Sequence, residues 1–149
     1  MKKGIFYVSI LAIPLTVVSL GMKTSEPEKD ESANRIQFVQ KNKAGEKIFK
    51  QYCATCHQLD GGGVPNIAPP LIQTKYVLGD KNTLIHIVLN GFNEDVEIDN
   101  QHFSNPMPPF KSKLSDKDVA NVLSYVRSSF GNDASAVTAS EVKAIRSGK

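Results

Sequence analysis

Both cysteines of this 149-residue chain and one of its three histidines fall within five residues, Cys53-Ala54-Thr55-Cys56-His57. Any group held by both thiols has to sit beside this one short segment, and the rest of the chain has to fold around it. A redox dithiol of the thioredoxin kind needs a preceding strand in a βαβ unit. Instead, Ala44, Ile48, Phe49 and Tyr52 recur at helical spacing between Lys43 and Tyr52 and run straight into Cys53. A disulfide between Cys53 and Cys56 closes a very small loop, gains little stability and leaves His57 unexplained. Zinc needs four ligands, so His86 and His102 would have to complete an unusual set. The pattern C-x-x-C-H instead fits covalent haem attachment. Two thiols add across the vinyl groups of one porphyrin edge, and the histidine that follows becomes the proximal ligand of the iron.

The first 21 residues suit that chemistry, which takes place outside the cytoplasm. A basic start, Met1-Lys2-Lys3-Gly4, precedes an uncharged run from Ile5 to Gly21, the layout of an export signal. Ser19-Leu20-Gly21 offers small residues at a cleavage spacing; the alternative is a retained membrane anchor, although the run is short for a bilayer and Pro14 interrupts it. Without residues 1–21 the chain keeps 16 basic against 15 acidic residues. A nearly neutral domain with scattered lysines excludes a nucleic-acid stripe. Residues 22–37 are charged, contain Pro27 and lack an apolar period, so they read as a linker, with the folded domain spanning 38–149.

Beyond His57, three consecutive glycines (Gly61 to Gly63) with Pro65, Pro69 and Pro70 predict a long wrapping loop, and the glycines lack the Gly-Lys-Ser/Thr ending of a phosphate loop. Leu84, Ile85, Val88 and Leu89 form one helical face, which Gly91 is placed to end in a left-handed conformation. Val96 and Ile98 alternate before Asp99-Asn100, predicting a short hairpin or an irregular excursion. The strongest helix follows Ser115. Ser115 and Asp118 match a capping box, Leu114 and Val119 a staple, and Val119, Val122, Leu123, Val126 and Phe130 share a face that Gly131 closes. Thr138 and Glu141 predict a second capping box for a short terminal helix through Arg146. The predicted class is all-α, helices wrapped around one covalently held haem c.

A sixth iron ligand would decide what such a haem does. Met107 is the methionine placed to supply it, because Pro106, Pro108 and Pro109 stiffen the chain on both sides. His102 is the rival, and His86 reads as a packed or surface residue.

Four separated segments, "CATCHQLDGGGVPNIAPPL", "LIHIVLNGF", "NPMPPF" and "LSDKDVANVLSYVRSSFGN", together resemble the class I bacterial monohaem c-type cytochromes over about Lys43 to Arg146. The resemblance implies a close crossing of the first and last core helices through Gly45 and Phe49 against Val122 and Tyr125. It also implies that the Pro69 carbonyl accepts a hydrogen bond from the second nitrogen of His57, and that Leu71 packs on the haem. The function it implies is one-electron transfer between a dehydrogenase donor and a terminal oxidase or reductase acceptor, in the periplasm or otherwise outside the cytoplasm. The "VTASEVKAIR" tail is similar to that of periplasmic cytochromes associated with dehydrogenases or terminal oxidases. Two other readings stay open: a subunit tethered to the membrane through residues 5–21, and a haem enzyme or gas-binding protein with a labile sixth ligand.

Overall fold

A computed structural model describes residues 29–148. The export or anchor segment expected in residues 1–21, and the start of the expected linker, lie outside the described residues. The chain forms α1 (Lys29–Tyr52), α2 (Ala54–His57), α3 (Lys75–Leu78), α4 (Lys81–Asn90), a hairpin of β1 (Val96–Ile98) and β2 (Gln101–Phe103), α5 (Asp116–Ser128) and α6 (Ala139–Arg146). The first helix therefore begins well before Lys43, within the stretch expected to be a linker. Once residues Gly45 to Tyr52 are held by packing, extending the helix backwards costs no new nucleus, and no apolar face is required. Arg35, Ile36, Val39 and Gln40 are accordingly exposed.

The crossing of α1 and α5 is the main packing event. A side chain at Gly45 would bring its Cβ to 2.3 Å from the Asn121 carbonyl oxygen and 2.6 Å from the Tyr125 Cβ, so only glycine permits this approach. One turn on, the wholly buried Phe49 ring lies 5.6 Å from Tyr125 and 5.2 Å from Phe130. Val122, also buried, belongs to the same core. The capping box of Ser115 and Asp118 starts α5 as the sequence predicts. The helix stops at Ser128, short of Phe130, which takes φ 59° and turns back onto the aromatic pair. Burying that ring outweighs continuing the helix.

Leu84, Ile85, Val88 and Leu89, the face expected to be apolar, are buried in α4, with Asp80 as the N-cap. The hairpin forms, Val96 opposite Phe103 and Glu97 opposite His102. Asp99 and Asn100 both have positive φ (52° and 61°), the backbone that a two-residue hairpin turn of right-handed twist demands. At the far end, Thr138 and Glu141 cap α6 reciprocally, and Lys81 of α4 meets Glu141 at 2.7 Å. Val142 seals the contact, fully buried.

Candidate haem site

Between these elements lies a cleft enclosing about 1010 Å³ of empty space, open solvent at its mouth included. Its wall is mostly apolar, supplied by α4, α5, the hairpin and the loop after His57; Cys53, His57, Leu71 and Met107 all contribute. Val96, Ile98 and Phe103 face it, while His102 and His86 are exposed and stand outside the lining. Among the described residues no three His, Cys, Asp or Glu side chains converge as a metal cluster, which leaves the zinc alternative without ligands.

The end of α1 positions the first group of residues. Cys53 keeps helical backbone and its N–H bonds the Phe49 carbonyl at 2.8 Å; α2 then adds one turn, ending in His57. Cys53 is half-buried on the cleft wall and Cys56 is exposed. Burial first, and the neighbouring Cys56 second, push the Cys53 thiol up to about 11. A redox-active dithiol needs the opposite shift, towards a stable thiolate. His57 donates from Nδ1 to the Pro69 carbonyl at 2.9 Å, because a carbonyl can only accept. Burial lowers the histidine's pKa and the Pro69 bond opposes that shift. The ring is thereby held neutral, with the lone pair of Nε2 available to a metal.

The loop that delivers Pro69 is folded by short-range bonds around Gly63. This glycine has φ 72°, and a Cβ there would lie 2.3 Å from the Ala68 carbonyl oxygen. Its N–H bonds the His57 carbonyl at 3.0 Å, and Val64 pairs with Ala68. Downstream, the buried Asn132 holds the loop to α5: its amide nitrogen donates to the carbonyls of Leu71 (2.9 Å) and Val126 (2.8 Å), and its oxygen accepts from the Gln73 N–H (2.7 Å). An asparagine just after a helix-ending glycine is a local turn signal, so nothing in the sequence announced this long-range role.

Met107 is presented by α4. Its N–H and carbonyl exchange hydrogen bonds with Phe92 (2.8 and 3.0 Å), and the Phe110 and Lys111 N–H groups bond the Val88 and Leu89 carbonyls at 3.0 Å. The methionine loop thus supplies partners that the last carbonyls of α4 would otherwise lack. Gly91 has φ 81° and ψ 179°, outside the left-handed helical conformation expected for it. Its tertiary reason is the Met107 carbonyl oxygen, which a Cβ would meet at 2.6 Å. Tyr76 and Phe92, rings 6.1 Å apart edge to face, line the cleft beside this loop. The sequence assigned neither a place on the cleft: Tyr76 precedes Val77 and Leu78, Phe92 follows Gly91, and no spacing marks either ring as cleft-facing.

An apolar slot with an imidazole, a thioether and a cysteine on its wall fits a flat apolar macrocycle with a central iron. The comparisons with known proteins agree. Residues 40–126 match the family described as cytochrome c oxidase, cbb3-type, subunit III. The chain is 31% identical over 144 residues to the gluconate 2-dehydrogenase cytochrome c subunit of Pantoea cypripedii, covering 92% of this chain and 32% of that one. It is 33% identical over 104 residues to the cytochrome c subunit of a quinone alcohol dehydrogenase from Gluconobacter oxydans, covering 69% and 22%. To cytochrome c-552 of Thermus thermophilus it is 35% identical over 115 residues, covering 70% of this chain and 86% of the relative. The chain spans a third or less of the length of the two dehydrogenase subunits. With the cleft and the matched segments in agreement, the chain belongs to the class I monohaem c-type cytochromes, which carry covalently bound haem c and transfer electrons.

Proposed function

We propose that Cys53 and Cys56 carry the thioether bonds, that His57 and Met107 are the axial ligands, and that the chain passes single electrons from a dehydrogenase to a terminal oxidase or reductase. Haem c, when bound, supplies a one-electron iron couple. The observation that carries this reading is the His57–Pro69 hydrogen bond on a cleft wall that Met107 shares. The bond orients the imidazole and raises its basicity as a ligand. Met107, on a loop tied to Phe92, would supply a second ligand to the iron and so keep out oxygen and substrate. A soft thioether and an apolar wall both favour the reduced state and raise the potential.

The same domain serves equally as a soluble shuttle or as a tethered subunit of a dehydrogenase, and its place is the periplasm or another extracytoplasmic space. Similarity to the gluconate dehydrogenase subunit over 92% of this chain, together with the apolar run at 5–21, supports the tethered form. Among the described residues no helix is long and apolar enough to cross a membrane. The labile-ligand reading has less support, because its distal candidate His102 lies exposed on the hairpin's outer face, opposite Glu97.

Absorption spectra of the exported protein test the assignment. A low-spin c-type spectrum is expected, with a methionine-to-ferric-iron charge-transfer band that Met107→Ala abolishes. A wild-type ferrous form that binds carbon monoxide as readily as Met107→Ala would overturn the closed site. The mass of the mature N-terminus separates shuttle from tethered subunit.

A further inference from the structure

Arg146, the last residue of α6, reaches back 30 residues and more to the segment that follows Met107. Its Nε donates to the Asp116 carboxylate at 2.6 Å, and its two terminal nitrogens donate to the carbonyls of Lys111 and Leu114, the latter at 2.8 Å. Residues 110–114 form a tight turn, closed by the Lys113 and Leu114 N–H groups on the Phe110 carbonyl at 3.0 Å. From inside, α4 holds this turn through the Phe110 and Lys111 N–H groups. From outside, Arg146 holds it through the Lys111 carbonyl, in an exposed contact, and the Leu114 carbonyl, in a part-buried one, joining both to the Asp116 carboxylate. The guanidinium therefore contributes a connection more than hydrogen-bond satisfaction, in the planar fork geometry a lysine cannot reproduce. Only Pro108 and Pro109 separate Met107 from Phe110, and two fixed φ angles leave little slack to absorb movement of the turn.

We infer that Arg146 is a positioning residue for Met107: the terminal helix clamps the methionine loop from outside and holds Met107 in place against a competing ligand. This rests on the assignment of Met107 as that ligand. The simpler alternative, that Arg146 only seats α6, makes a different prediction, because α6 has a second tether in the Lys81–Glu141 pair and a buried anchor in Val142.

The test uses ferric holoprotein titrated with imidazole, which competes for the sixth position, alongside amide hydrogen exchange at Phe110 and Lys111. Arg146→Ala is expected to bind imidazole about ten-fold more tightly than wild type, on the scale of losing a charge-assisted fork. It should also exchange both amides faster. Arg146→Lys, which keeps the charge opposite Asp116 but not the fork, should fall between, and it carries the test alone if the alanine variant does not fold. Glu141→Gln, which loosens α6 without touching the turn, should stay within about two-fold of wild type. Unchanged imidazole affinity and amide exchange in the Arg146 variants would overturn the inference, as would a Glu141→Gln effect equal to that of Arg146→Ala. If wild type binds imidazole as tightly as Met107→Ala, the ligand assignment fails instead, and the amide exchange still reports whether Arg146 holds the turn.

Discussion

At the scale of single residues, the haem-binding character of the chain was legible because it depends on chemistry encoded locally. Cys53, Cys56 and His57 are proposed for haem attachment from their spacing, and Met107 as a ligand from the prolines around it. Gly45 is different: a lone glycine in a helical pattern says that something comes close, and only the fold shows that it is the backbone of Asn121. Gly45→Ala tests that approach. Overpacking costs about 1–3 kcal/mol, against up to about 1 kcal/mol gained in helix propensity. The contact is with a carbonyl oxygen that cannot swing aside, so the net effect is a loss of about 1–2 kcal/mol. It is expected as a lower urea midpoint at unchanged slope. A variant as stable as wild type would mean that the helices separate freely.

At the scale of elements, capping boxes and apolar faces located α4, α5 and α6 because both signals lie within a few residues of the helix they mark. The limits of α1 and α5 were less legible. The start of α1 borrows its nucleus from packed residues downstream, and the end of α5 yields to the Phe49–Phe130 contact. The docking of α6 has a pH dependence of its own. The Lys81 ammonium foremost, then the Thr138 N–H, lower the Glu141 carboxyl from its ordinary 4.5 to about 2. A depressed folded-state pKa means that this stabilisation is complete above the unfolded value, near 4.5, and is lost as pH falls towards 2. The pair is a third exposed, so screening limits it to about 1 kcal/mol. Amide exchange across Ala139–Arg146 should therefore rise between about pH 4.5 and 2 in wild type. In Glu141→Gln it should already be raised at neutral pH, without that pH step. A step that persists in the variant would assign it to another carboxylate.

For the whole molecule, the cleft and the core are one structure: Phe49, Val122, Leu123 and Val126 belong to the core and also line the cleft. A small domain with so much apolar surface turned towards a cofactor buries too little without it. Cys53→Ser with Cys56→Ser, expressed with the maturation machinery, should lose the sharp cooperative unfolding of the holoprotein and expose apolar surface to dye. A double variant that unfolds as sharply and at the same temperature would show that the haem is not part of the core. The sequence by itself determined the helical class and pointed to a haem-attachment motif and a methionine loop, since each depends on residues within a few positions of one another. Only the tertiary structure decided that Asn132 ties the proximal loop to α5, that Gly91 makes room for Met107, and that Arg146 closes over the turn beyond it. Apart from the Asn132 bond to Val126, those contacts join residues 16 to 61 positions apart, and no local pattern records which distant backbone groups a fold will leave in need of a partner.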